Sequence, residues 1–167
     1  MDEIERRVRD IVAGIPEADV MDCDPALADT VDFCAAYGIP MEDSANAIVV
    51  IGKASSASVP PVYAACVVLA TTRLDVNRAV RKRLGTKKAS FAPPEVTTEL
   101  TGMTMGGVTP FGLPAGMPLW IDSRVMERER IVVGGGSRAA KVVGPPSMLL
   151  TIPQAEVIED LATPVED

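Results

Sequence analysis

The chain has 167 residues, 47% of them hydrophobic, 23% charged and 4% aromatic, which are the proportions of one globular domain with an aliphatic core. They exclude a disordered chain. The net charge of −7 argues against a uniformly anion-binding surface, and the absence of histidine excludes a Ser-His-Asp triad, an HExxH zinc site and a histidine general base.

Ile4, Val8, Ile11 and Val12 fall on one helical face, closed by Gly14 and Pro16. Ala18 to Asp22 reads as a short strand. Asp24-Pro25 is an N-cap followed by proline at the first helical position, and Leu27, Val31, Cys34 and Ala35 predict the inner face of the helix it opens. Gly38 and Pro40 end that helix. Asn46 to Lys53 and Pro61 to Thr71 read as strands joined by a Ser-rich hairpin loop, the second apolar enough to be buried on both faces. That strand suits either the core or the edge of a homodimer.

Asp75 predicts the cap of a helix with Val76, Val80 and Leu84 inside, ended by Gly85. Lys87 to Ser90 predicts a strand, and Pro93-Pro94 opens a helix through Leu100. Thr101 to Pro114 is too rich in Gly and Pro to be regular and predicts a tight loop. Pro118 to Ile121, Ile131 to Val133 and Ala140 to Val143 predict strands, the last two joined by a Gly134 to Ser137 hairpin turn. Thr151 to Leu161 predicts a terminal helix, with the last six residues fraying. About six strands interspersed with about five helices predict a mixed α/β (α+β) fold, a single domain over residues 1–167.

The N-terminus lacks the pattern of a signal peptide, and no apolar run is long enough to span a membrane. Cys23, Cys34 and Cys66 contain no CxxC pair, so buried thiols in a reducing cytoplasm are expected rather than a metal site or a disulfide framework. Between Arg73 and Lys88 stand seven basic residues and one acid, giving +6 against −13 for the rest. Arg78, Arg81, Lys82 and Lys87 in this stretch are candidate phosphate contacts on charge alone.

Gly106-Gly107-Val108-Thr109-Pro110 gathers several main-chain N–H groups in one turn, a pattern that can bind an anion or an oxyanion. It is neither a Walker loop nor a GxGxxG fingerprint. Gly134-Gly135-Gly136-Ser137-Arg138 permits close backbone approach, with an arginine beside it able to hold a phosphate or carboxylate.

The order NAIVV, an apolar strand, LDVNRAVRKRLGTKKASFA, TGMTMGGVTPFGLP and GGGSRAAKVV resembles the YbaK/prolyl-tRNA-synthetase-associated editing-domain family from about Pro25 to Leu150. Gly106 to Pro110 matches that family's GxxxP loop. The resemblance implies a distorted, barrel-like sheet flanked by helices, and no metal or organic cofactor. It implies an aminoacyl-tRNA deacylase that hydrolyses the ester of a mischarged amino acid at the tRNA acceptor end, with an aminoacyl-tRNA synthetase as a further partner. Catalysis would fall to Gly106, Gly107, Val108, Thr109 and Pro110. Substrate binding would fall to Asn46, Phe111, Gly112, Gly135, Gly136, Ser137, Arg138 and Lys141, with Met103, Val108 and Leu113 lining the pocket. Asn46 stands where many members carry lysine, and Lys141 where they often carry an acid or histidine. A second reading follows from these two departures: a catalytically silent module of the same fold that binds tRNA, a nucleotide or a synthetase. A third takes the glycine loops as turns only.

Overall fold

The computed structural model describes residues 2–165. Helix α1 (Glu3–Ala13) begins at Asp2, whose carboxylate accepts from the Glu5 N–H, and buries Val8 and Val12. Strand β1 (Asp19–Asp22) follows. Asp24 does act as a cap, accepting from the Ala26 N–H at 3.0 Å, but only the 3-10 turn Pro25–Leu27 follows it. A separate helix, α2 (Thr30–Tyr37), starts behind Asp29. This break rotates the helical face relative to the expectation. Ala28, Phe33 and Cys34 turn inward, whereas Val31 is 69% exposed and Ala35 is exposed as well.

Strands β2 (Ala45–Lys53) and β3 (Val62–Leu69) form the expected antiparallel hairpin, with Ala45 opposite Leu69 and Gly52 opposite Val62. Ala65, Val67 and Leu69 enter one core, and Ala64, Cys66 and Val68 the other. Each fully buried valine here contributes about 1.5–3 kcal/mol. β3 lies between β2 and β6, so it cannot serve as a dimer edge.

After β4 (Thr72–Leu74), Asp75 caps the basic segment by accepting from the Arg78 N–H at 3.2 Å. The segment is π-wound over Val76–Val80, becomes α3 over Arg81–Leu84 and ends at Gly85 with φ 68. Next come β5 (Lys88–Phe91), α4 (Pro94–Thr101), a long irregular loop, β6 (Leu119–Asp122), β7 (Ile131–Gly134) and β8 (Ala140–Gly144).

No helix forms over Thr151–Leu161. The 3-10 stretch Pro146–Thr151 is followed by strands β9 (Ala155–Ile158) and β10 (Ala162–Pro164). β9 runs parallel to β6, and β10 runs antiparallel to β4. The open edges of β6 and β4 offer ladders, and Ile158, Leu161 and Ala162 fill the second core from there. Tertiary pairing thus overrides a weak local helical preference. Residues 162–164, expected to fray, are paired; residues 166 and 167 lie outside the described residues.

The strands form a mixed sheet ordered β5-β2-β3-β6-β9, an antiparallel sheet β1-β8-β7 and the pair β10-β4. The larger core lies between the first two sheets and is closed by α1. The second covers the outer face of the five-stranded sheet, beneath the basic helix. The fold is the expected mixed α/β class, with more strand and less helix than expected. No helix among the described residues is long and apolar enough to cross a membrane.

Candidate active site

A parallel bridge between Ser44 and Val132 ties the start of β2 to β7. Beside it opens a cleft of about 380 Å³. β5 pairs with β2 only from Val50 onward, so the outer edge of Asn46–Ile48 is left bare and forms one wall. The segment from Ala28 to Phe33 forms a second wall, and Met105, Gly106 and Val108 a third. Ser44, Ala45, Val132, Val133, Gly134 and Lys141 line the remainder.

The glycine loop is held backbone to backbone. A Cβ on Gly134 would sit 2.1 Å from the Val108 carbonyl oxygen, and one on Gly107 would sit 2.6 Å from the Ser137 carbonyl carbon. Gly106 has φ +89, a conformation natural to glycine. The Gly107 N–H donates to the Thr104 carbonyl at 2.9 Å, and the Thr109 N–H points to the Met103 sulfur at 3.5 Å. The N–H groups of Gly106 and Val108 have no protein partner among the described residues. Of the four amides expected to face substrate, Gly106 to Thr109, two are therefore unclaimed. Donors two residues apart can converge on a single oxygen.

The charged groups are engaged with the protein itself. Lys141 is 7% exposed; its Nζ donates to the carbonyls of Ala28 at 2.7 Å and Gly106 at 3.0 Å and lies 5.2 Å from the centre of the Phe33 ring. Burial pushes this ammonium below the usual lysine range. The Arg138 guanidinium donates to the Pro25 carbonyl, the Met105 carbonyl and Asp29 Oδ1 at 2.9–3.0 Å. That hydrogen bond holds the Asp29 carboxyl below its ordinary value. Asn46 Oδ1 accepts from the Thr30 hydroxyl at 3.0 Å. Burial raises the Cys23 and Cys34 thiols.

The expected site residues thus divide. Asn46, Gly106, Val108 and Lys141 line the cleft. Thr109, Pro110 and Phe111 are buried, and Phe111 belongs to the larger core. Gly112 lies over α1, its carbonyl accepting from Arg7 at 2.8 Å. Gly135 packs against Ala140, and Gly136 packs against Ile4 and Val8. The Ser137 hydroxyl donates to Glu5 at 2.6 Å. Met103 is fully buried, and Leu113 lines a separate depression beside Arg7 and Leu100, so of the three expected lining residues Val108 alone reaches this cleft.

Asp29, Thr30, Phe33 and Ser44 are cleft residues the sequence did not single out. Arg78, Arg81, Lys82 and Lys87 are exposed on the basic helix and the turn before β5. β5 meets β2 at Lys53, roughly 24 Å along the strand from Asn46 at about 3.4 Å per residue. Arg83 is engaged separately, paired with Glu156 and stacked over Trp120.

Solved structures share this architecture. A candidate trans-editing enzyme for prolyl-tRNA synthetase superposes with a TM-score of 0.80 at 22% identity, covering 99% of both chains. A hypothetical protein gives 0.80 at 21% identity, over 93% of this chain and 99% of its own. A scaffold used to present a grafted linear epitope gives 0.78 at 20% identity, over 99% of this chain and 100% of its own. At these identities the likeness concerns the fold. The sequence model of the aminoacyl-tRNA editing domain matches residues 24–152, a span that takes in every wall of the cleft. On that match, the chain belongs to the aminoacyl-tRNA editing domain family.

Proposed function

We propose that the protein, as one domain over residues 1–167 in a reducing cytoplasm, hydrolyses the ester bond of a mischarged aminoacyl-tRNA in trans. The observation that carries this reading is the pair of unclaimed N–H groups on Gly106 and Val108 at the wall of the cleft. An aminoacyl ester is already activated, so attack by a positioned water needs little general-base strength. As the carbonyl becomes tetrahedral, negative charge collects on its oxygen, and two fixed main-chain donors stabilise that charge. Each such donor supplies about 10²–10³ in rate in other acyl-transfer sites. The substrate's own amino group or ribose hydroxyl relays the proton, and the 3′-oxygen of the ribose leaves.

Asn46 and the bare edge of β2 offer hydrogen bonds to the aminoacyl or ribose group. Arg78, Arg81, Lys82 and Lys87 meet the phosphates of the acceptor stem, and the unpaired 3′ end bridges the distance to the cleft. The similarity to a candidate trans-editing enzyme for prolyl-tRNA synthetase favours substrates from the prolyl system and that synthetase as a partner.

The test is a panel of labelled aminoacyl-tRNAs incubated with the purified chain, beginning with tRNA for proline charged with alanine, serine and cysteine. Faster ester loss than the spontaneous rate supports the proposal; no acceleration with any member rejects it. A second reading, a silent tRNA-binding module, is favoured by Lys141 and Arg138, whose hydrogen bonds run to the protein itself. Salt-sensitive tRNA binding without turnover would select it.

A further inference from the structure

Three successive carbonyls of the glycine loop accept hydrogen bonds from one element. The Met105 carbonyl accepts from Arg138 Nη1 at 3.0 Å. The Gly106 carbonyl accepts from Lys141 Nζ at 3.0 Å, and the Gly107 carbonyl from the Gly136 N–H at 2.8 Å. All three donors belong to the β7–β8 hairpin. In a trans peptide the C=O and the following N–H point in opposite directions. Holding carbonyls 105, 106 and 107 toward the hairpin therefore turns the N–H groups of 106, 107 and 108 away from it. Thr104 takes the middle one, and the outer two are the unclaimed pair.

The same two side chains reach the opposite wall. Lys141 also donates to Ala28, and Arg138 also donates to Pro25 and Asp29. Each side chain thus bridges the segment before α2 and the glycine loop, fixing the spacing of two cleft walls. Both stand in a sequence position where a charge facing substrate was the expectation. Their donors are instead directed at main-chain oxygens.

The geometry points to Lys141 and Arg138 as positioning residues: with the Gly136 amide they set the direction of the Gly106 and Val108 N–H groups and the width of the cleft. This rests on the reading of those amides as oxyanion donors, so the test includes a readout free of activity. Amide hydrogen exchange is measured on the full chain as wild type, Lys141→Met and Arg138→Met, at Gly107 and Gly136 and along the β2–β3 ladder. Methionine keeps the length and apolar stem of lysine without a donor. The expected result is about tenfold or faster exchange at Gly107 and Gly136 with the ladder unchanged, the signature of local opening. Unchanged exchange at Gly107 in both variants overturns the inference, and so does an equal rise throughout the ladder. If Lys141→Met does not fold, Arg138→Met, whose side chain is 33% exposed, decides by the same criteria.

Any aminoacyl-tRNA that the wild type turns over is then assayed with the variants. Positioning predicts kcat lower by about 10–100-fold with KM within about threefold. A raised KM at constant kcat means direct substrate contact and overturns the assignment. A wild type inert to the whole panel sinks the deacylase reading, and the exchange result still decides whether the hairpin holds the loop.

Discussion

Replacing Gly134 by alanine tests the contact on which the loop rests. Gly134 does not have a positive φ, so alanine fits the backbone there and only the neighbour objects. The added Cβ would lie 2.1 Å from the Val108 carbonyl oxygen, whereas 3.4 Å is ordinary contact, so the two backbones must part by about 1.3 Å. Neither is a flexible side chain that could swing aside. A shift of that size carries the Val108 N–H from about 2.9 Å to about 4 Å from an oxygen it would otherwise meet, beyond hydrogen-bond range. Loss of one donor predicts a fall of about 10² in kcat with KM nearly constant. Overpacking of this kind costs about 1–3 kcal/mol, which for this length lowers Tm by on the order of 2–12 °C. Single-turnover deacylation and a thermal melt on the same preparation measure both. A Gly134→Ala protein with wild-type Tm and wild-type kcat would refute the claim that this backbone contact sets the position of the loop.

Changing Arg78, Arg81, Lys82 and Lys87 together to glutamine should weaken tRNA binding at 50 mM salt and make log K against log salt shallower by roughly 3.6, at about 0.9 for each of four duplex phosphate contacts; an unchanged slope places the tRNA elsewhere. Glu5 is 4% exposed and accepts from the Ser137 hydroxyl at 2.6 Å and from Arg9 at 3.0 Å. Glu5→Ala leaves the Ser137 hydroxyl without this acceptor and should cost about 1–3 kcal/mol in urea unfolding, and no shift in the midpoint would contradict a structural role for the contact. Burial pushes the Cys66 thiol up to about 12 from 9.0. The unfolded chain then loses this proton first, so the folded state loses stability as pH rises from 9 toward 12, at up to about 1.4 kcal/mol per pH unit. The stability difference between wild type and Cys66→Ala should therefore shrink or change sign with rising pH in that interval; parallel curves would show that this thiol is not desolvated.

The β2–β3 hairpin was legible because an eight-residue apolar run between a Ser-rich loop and a turn has few other solutions. The Gly134 to Ser137 turn was equally plain. The C-terminal strands were not. Ile152, Ala155, Ile158 and Leu161 recur every three residues, which also suits a helix, and only the open edges of β6 and β4 decide against it. In the cleft, Asn46, the glycine loop and Lys141 were visible as residue types in an ordered series. The wall from Ala28 to Phe33 was not, since topology alone brings it to β2 and β7. The direction of Arg138 and Lys141 was also hidden, because their acceptors are main-chain carbonyls, which carry no sequence signature.

The packing of α1 widens the unit that has to be kept whole. The family match begins at residue 24, yet Ile4 and Val8 press on Gly136, and Glu5 reaches Ser137 from the other side of that boundary. A polypeptide trimmed to the matched span would open the larger core at Val8 and Val12 and strip the backing from the hairpin that carries Gly136. Any excised version or fusion joint should accordingly be placed ahead of Asp2, the residue that starts the first helix.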